Sequence, residues 1–146
     1  MENFRTMNMN RNEALSFLRD HQPMPDDDDL TQELIDKYDE VRNFFIATPD
    51  KEAISLFLNS YGNGDGWGVY QLVEDVFYKC HFDDVVLEIK KILENPSVAD
   101  SVRYWVTQVS AAFSDAKLRK GLEISLNSEN EDIRDAAQLS LDMMDD

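Results

Sequence analysis

The feature that most constrains the fold is an apolar stripe with the period of an α-helix, which recurs along most of the chain. Residues 69–80 and 82–93 show it most clearly, with apolar side chains three or four positions apart. No segment alternates apolar and polar residues long enough to predict a β-strand. The pattern therefore predicts an all-α protein. Further helices are predicted at 11–21, 31–47, 51–61, 102–113, 114–127 and 128–144.

The breaks between the predicted helices are short, so neighbouring helices should pack antiparallel as hairpins. A chain of 146 residues is long enough to form one hydrophobic core. We therefore expect a single helical domain over residues 1–146, with the polar residues 1–10 as a loose N-terminal tail.

The last two predicted hairpins repeat one arrangement. Each consists of a helix, a short polar break and a second helix that opens with an apolar residue and an arginine, Val102-Arg103 and Ile133-Arg134. This pattern resembles the HEAT-repeat class of α-solenoids, whose units are two-helix hairpins that often carry such a pair. The resemblance is best over residues 82–144 and extends, less closely, over residues 31–81. It implies a short HEAT-like solenoid of stacked antiparallel hairpins, in which both arginines have structural roles.

A glycine-rich segment, YGNGDGWGVYQLVED at residues 61–75, holds four of the five glycines of the chain. A P-loop requires a lysine and a hydroxyl directly after its last glycine, and GWGVYQLV supplies neither. A Rossmann fingerprint follows a β-strand, whereas residues 53–60 are predicted to be helical. We therefore interpret the segment as a flexible connection between two helices.

Calcium binding is the alternative for this segment. When Asn63 is taken as the first position, Asp65, Gly68 and Glu74 fall where an EF-hand places a ligand, its glycine and its final glutamate. However, Trp67 occupies a position that needs an oxygen ligand, and the first ligand is asparagine rather than aspartate. The match predicts at most a defective site.

Candidate catalytic groups are few. The two histidines, His21 and His81, are far apart and lie in no metal-binding spacing. Cys80 falls on the apolar stripe and is expected to be a core thiol, and a lone cysteine fits a reducing cytoplasm. We expect no catalytic residue, no metal and no cofactor, and therefore no enzyme.

The charge is strongly acidic, with 14 lysines and arginines against 30 aspartates and glutamates and a net charge of −16. Such a surface repels nucleic acid and anionic lipid and accelerates encounter with a basic protein, although solubility alone also favours acidic residues. No apolar run is long enough for a membrane span, and the N-terminus lacks the apolar core of a secretory signal. We expect a cytoplasmic protein, monomeric when free, that binds neither nucleic acid nor membrane.

A second face of the predicted helix 69–80 carries tyrosines and carboxylates at every fourth position, with acidic and aromatic residues on either side. Tyrosine is enriched at protein interfaces because it offers a large rigid contact and one hydrogen bond. The alternative is that these tyrosines pack against an adjacent helical pair and that the last two aspartates cap the next helix. The predicted partner-binding residues are Asp65, Trp67, Tyr70, Glu74, Asp75, Tyr78, Asp83 and Asp84.

A small, acidic, all-α chain without catalytic residues is similar to immunity proteins of bacterial toxin systems, including those of contact-dependent growth inhibition. The segment GDGWGVYQLVEDVFY, residues 64–78, resembles a stretch of such proteins. The resemblance implies tight binding to one cognate toxin domain, commonly a basic nuclease such as an EndoU-like or other RNase. An acidic inhibitor can imitate the phosphates that such a cleft binds. The alternative is a HEAT-type interaction adaptor with a partner unrelated to toxins.

Overall fold

A computed structural model describes residues 9–146, in which every regular element is helical. The eight α-helices of this part of the chain confirm the all-α prediction. Short 3-10 turns lie at Asp27–Asp29, Gly66–Gly68, Tyr70–Leu72 and Ala116–Leu118. The helices are α1 Arg11–Arg19, α2 Gln32–Ala47, α3 Lys51–Leu58, α4 Glu74–Phe77, α5 Phe82–Leu93, α6 Asp100–Ser110, α7 Arg119–Leu126 and α8 Glu131–Asp145.

The chain divides into two compact units, Met1–Cys80 and His81–Asp146. The first contains α1 to α4 and the second α5 to α8. Two such units can belong to one domain or to two, so the single domain over residues 1–146 stays a prediction.

The structure describes only the last two residues of the predicted loose tail over residues 1–10. Residues 1–8 lie outside the described residues. Met9 is buried, and the side chain of Asn10 accepts a hydrogen bond from the Glu13 N–H at 2.8 Å. The prediction is therefore wrong for these last two residues, because Asn10 caps α1 and Met9 is drawn into the core.

The core of the first unit is built around buried aromatic rings. Tyr70 lies at its centre, with its ring 5.8 Å from that of Tyr38 and 5.5 Å from that of Tyr61, both edge to face. The hydroxyls of Tyr38 and Ser60 are hydrogen-bonded at 2.6 Å. Each such ring pair contributes about 0.5–1.5 kcal/mol beyond the burial of its area. This cluster fixes the chain on both sides of the glycine-rich segment.

In the second unit, α5 packs against α6 and α7, and α8 packs against the same two helices. Arg103 of α6 is 4% exposed and donates hydrogen bonds to the carbonyl oxygens of Leu93 and Asn95 at 2.9 and 2.7 Å. Arg134 of α8 donates to two carbonyl oxygens beyond the end of α7, at 2.9 and 3.0 Å. Both arginines therefore hold the backbone at the end of the preceding helix, which confirms their predicted structural role.

Residues 69–80 do not form the single helix that their apolar stripe predicts. A 3-10 turn covers Tyr70–Leu72, and the α-helical part is limited to Glu74–Phe77. Val76 and Phe77 are buried as predicted, but Leu72 is 41% exposed. The prediction fails because the 3-10 turn changes the direction of these side chains: Tyr70, from the supposed polar face, is buried, and Leu72, from the apolar stripe, is exposed.

Candidate functional site

The glycine-rich loop follows a left-handed backbone path. The angle φ is +102° at Gly64, +60° at Gly66 and +90° at Gly68. Trp67 has a φ of +53° and is the one non-glycine residue with positive φ within residues 9–146. Glycine adopts this region without the steric penalty that a Cβ brings, so the alternating glycines first serve to shape the chain.

The backbone N–H groups that this path exposes are bound by a carboxylate from another part of the chain. Asp27 accepts hydrogen bonds from the N–H groups of Asp65 and Gly66 at 3.1 and 2.9 Å. Its own N–H donates to Asn63 O at 3.0 Å, and its carbonyl accepts from Trp67 Nε1 at 3.3 Å. Successive N–H groups in such a turn form a concave anion site, and here Asp27 fills it. The loop is therefore tied down, unlike the flexible connection expected from its glycines.

The geometry does not favour the calcium alternative. Tyr70 is buried, and its hydroxyl accepts a hydrogen bond from the Gly62 N–H at 3.1 Å, so the second half of the motif turns into the core. Within residues 9–146, nowhere do three or more histidine, cysteine, aspartate or glutamate side chains converge as a metal ion would require.

Five of the predicted partner-binding residues lie at the surface of the first unit. Trp67 is 46% exposed and Tyr78 is 57% exposed. Asp65 and Asp75 are exposed, and Glu74 is half-buried. The alternative that the tyrosines pack inward is therefore wrong for Tyr78.

Tyr70 is the exception, and its prediction as a partner contact is wrong. Its side chain is 1% exposed and lies within the aromatic core. Burial raises the pKa of its hydroxyl to about 12, and the nearby charges of Asp27, Asp26 and Asp65 act in the same direction. The sequence cannot separate it from Tyr78, because both occupy the same helical face when a regular helix is assumed.

Glu74 and Tyr78 are linked side chain to side chain. The Tyr78 hydroxyl donates a hydrogen bond to Glu74 Oε1 at 3.1 Å. Loss of solvent is the main reason that the pKa of Glu74 lies above its ordinary value; the Tyr78 hydrogen bond opposes this shift and the charge of Asp75 adds to it. The pair presents a carboxylate and a phenol in a fixed relation.

Asp75 faces an arginine of the same unit. Its Oδ2 atom lies 3.6 Å from Nη1 of Arg42, which is buried and bound more closely to Asp39 at 2.7 Å. Arg42 also donates to the Leu72 carbonyl oxygen at 3.4 Å, which fixes the 3-10 turn on α2. Arg42 thus partly balances the charge of Asp75, which leaves less of that charge to attract a partner.

Asp83 and Asp84 belong to the second unit, in the first turn of α5. Carboxylates in a first turn stabilise a helix through its dipole. The N-cap of α5 is His81, whose side chain makes no capping hydrogen bond. That they form one surface with the residues of the first unit stays a prediction.

Two surface features of the first unit were not predicted. Leu72 is exposed, and the acidic run Asp26–Asp29 lies beside the glycine-rich loop, while Thr31 is the N-cap of α2. No local signal in the sequence joins segments so far apart in the chain.

Comparisons with protein families, curated proteins and solved structures find no match to this chain. None of the helices within residues 9–146 has the length and apolar character needed to cross a bilayer.

Proposed function

We propose that this protein is a bacterial immunity protein that binds a basic toxin domain in the cytoplasm and neutralises it without catalysis of its own. A nuclease, EndoU-like or another RNase, is the proposed target. The observation that carries this proposal is the combination of exposed aromatic side chains, Trp67 and Tyr78, with carboxylates on a chain of net charge −16. Aromatic residues supply much of the binding energy at interfaces, and complementary charge raises the association rate.

The proposed binding site, which we call the 65–78 surface, consists of five predicted residues and one that the structure adds. Its carboxylate and phenol at Glu74 and Tyr78 are already hydrogen-bonded, which reduces the conformational entropy that binding would otherwise remove. Its members are Asp65, Trp67, Leu72, Glu74, Asp75 and Tyr78.

The fold that accompanies this proposal is a short HEAT-like solenoid, in which α5–α6 and α7–α8 are two successive repeats. The support is that α5 packs on both α6 and α7, while α8 packs on the same two helices. The equivalent arginines Arg103 and Arg134 each bind carbonyl oxygens at the end of the preceding helix. Solenoids present extended surfaces to protein partners, as an inhibitor of this kind requires.

Co-expression tests the proposal directly. The product of the gene immediately upstream is expressed in bacteria with or without this protein, and growth is followed. We expect growth arrest by the upstream product alone and rescue by co-expression. The purified pair should associate tightly at low salt and more weakly at high salt. Normal growth with the upstream product alone, or no association with it, would contradict the proposal; binding to a protein unrelated to toxins would instead favour the adaptor alternative.

Paired variants locate the binding site. Trp67→Ala with Tyr78→Ala should weaken toxin binding by about tenfold or more, because truncating central aromatic residues removes a large part of interface energy. The matched control is Leu139→Ala with Met143→Ala, two apolar side chains of α8 with similar exposure. Circular dichroism checks that both variants keep their helices. An equal loss of affinity in both pairs would remove the 65–78 surface from the proposal.

A further inference from the structure

The indole N–H of Trp67 is already hydrogen-bonded within the protein, so a partner can contact only the ring surface. The indole has one polar group, its N–H, and in Trp67 this group donates to the Asp27 carbonyl at 3.3 Å. The side chain is nevertheless 46% exposed. What remains for a partner is therefore the π surface of the ring, held in place by a hydrogen bond within the protein.

The surroundings of this ring are negative and open. Asp65 lies two residues before Trp67 in the loop. Asp28 directly follows Asp27, whose carbonyl oxygen accepts the indole hydrogen bond. Both Asp65 and Asp28 are exposed. No lysine or arginine in the described part of the chain forms an ion pair with either carboxylate. A Cβ built on Gly68, the next residue, would have no atom within 4 Å apart from those of its two chain neighbours. Both carboxylates therefore keep their charge unbalanced by an ion pair and can attract a cationic side chain to this loop.

We propose that Trp67 docks an arginine side chain of the basic partner. The guanidinium stacks on the indole face, while its N–H groups donate to the carboxylates of Asp65 and Asp28. Arginine fits better than lysine because a planar guanidinium can stack and still present donors at its edge, whereas an ammonium is a strongly hydrated point charge. This inference rests on the proposed function, which supplies a basic partner. A second copy of this chain is a poor occupant because two chains of charge −16 repel each other.

Nuclear magnetic resonance of the full chain provides the test, because the protein has two tryptophans and therefore two indole N–H signals. The Trp67→Phe variant identifies the Trp67 signal, and the other belongs to Trp105. The probes are three capped peptides that alternate glycine with arginine, lysine or citrulline. Citrulline has nearly the shape of arginine without its charge, so it separates the effect of charge from that of shape.

We expect the arginine peptide to shift the Trp67 signal and leave that of Trp105 unchanged. The lysine peptide should bind about fivefold more weakly, and the citrulline peptide should not bind at the same concentrations. Trp67→Leu should abolish the preference for arginine over lysine. The double variant Asp28→Asn, Asp65→Asn, which preserves side-chain shape, should weaken binding of the arginine peptide while the protein stays folded.

Equal affinity for the arginine and lysine peptides, or an unchanged preference in Trp67→Leu, would overturn this inference. Either result leaves the proposed function standing if the upstream toxin still binds. Conversely, arginine-selective binding together with growth arrest that is not rescued would contradict the toxin proposal and keep the arginine site.

Discussion

Gly66 and Gly68 share a positive φ but have different surroundings. A Cβ on Gly66 would lie 2.5 Å from the Tyr70 ring, whereas a Cβ on Gly68 would have no atom within 4 Å. An L-residue in the left-handed region costs about 1–2 kcal/mol at either position. At Gly66, overpacking against the ring adds about 1–3 kcal/mol.

We therefore expect Gly66→Ala to lower the free energy of unfolding more than Gly68→Ala. Urea denaturation followed by far-UV circular dichroism measures both values, and Gly68→Ala is the control for backbone strain alone. Similar losses in the two variants would mean that the Tyr70 ring moves aside without penalty.

Glu74 provides a pH-dependent prediction. Because its pKa in the folded protein lies above its ordinary value of 4.5, the folded state holds this proton more tightly than the unfolded state does. The contribution of Glu74 to stability therefore falls as pH rises from the ordinary carboxyl pKa through the raised one. Glu74→Gln should remove this decline, and denaturation midpoints measured at several pH values across this window will report it.

Neighbouring variants should move the Glu74 titration in opposite directions. Tyr78→Phe removes a hydrogen bond to the carboxylate and should raise its pKa further, whereas Asp75→Asn removes a like charge and should lower it. Carbon-13 signals of the Glu74 carboxyl follow this titration directly. A fall in the pKa with Tyr78→Phe would contradict the role assigned to the hydrogen bond.

At the scale of whole helices, α5 shows how much the sequence can predict. Its apolar stripe fixes the buried face, and Val85, Val86 and Ile89 are buried as the period of 3.6 predicts. The stripe at 69–80 has the same period and yields only the short α4. The difference is tertiary: the Tyr70 ring packs edge to face against that of Tyr38, 32 residues earlier, and a local pattern carries no information about that contact.

In the candidate site too, local features could be predicted from the sequence and long-range contacts could not. Exposure of Asp65 and Trp67 could be predicted, since charged and amphipathic residues beside a turn usually reach solvent, whereas the exposure of Tyr78 could not be told from the burial of Tyr70. The position of Asp27 beneath the loop could not, because it depends on how two segments distant in sequence fold together.

Gly121 sets the distance between α5 and α7. A Cβ at this position would lie 2.5 Å from Leu93 Cβ. Gly121→Ala should therefore destabilise the protein by about 1–3 kcal/mol, although alanine is the better helix former. Leu93→Ala alone should cost about 2–5 kcal/mol by leaving a cavity.

The double variant Gly121→Ala, Leu93→Ala tests whether the two effects share one contact. The two losses should be close to additive, because alanine at position 93 keeps the Cβ and the backbone that the new methyl group would meet. Thermal and urea denaturation of the four proteins give the coupling energy. A combined loss clearly smaller than the sum would mean that the outer atoms of the Leu93 side chain, and not its Cβ and backbone, carry the strain of Gly121→Ala.

At the scale of the whole molecule, the net charge of −16 predicts opposite effects of salt on folding and on binding. Added NaCl screens repulsion among the carboxylates, so the Tm of the free protein should rise. The same screening weakens attraction to a basic partner, and its association rate should fall by about tenfold or more. Differential scanning calorimetry and stopped-flow binding to the upstream toxin measure the two effects. An association rate unchanged by salt would mean that charge does not guide encounter.

The carboxylate of Asp27 beneath the glycine-rich loop is, in effect, a ligand that the chain carries with it. A tethered group is present at an effective concentration of roughly millimolar or more, whatever the composition of the surrounding solution. A free anion of equal intrinsic affinity would therefore have to exceed this concentration before it displaced the carboxylate. The loop thus needs no external ligand to keep its path, and the same residue holds the indole of Trp67 through its carbonyl oxygen.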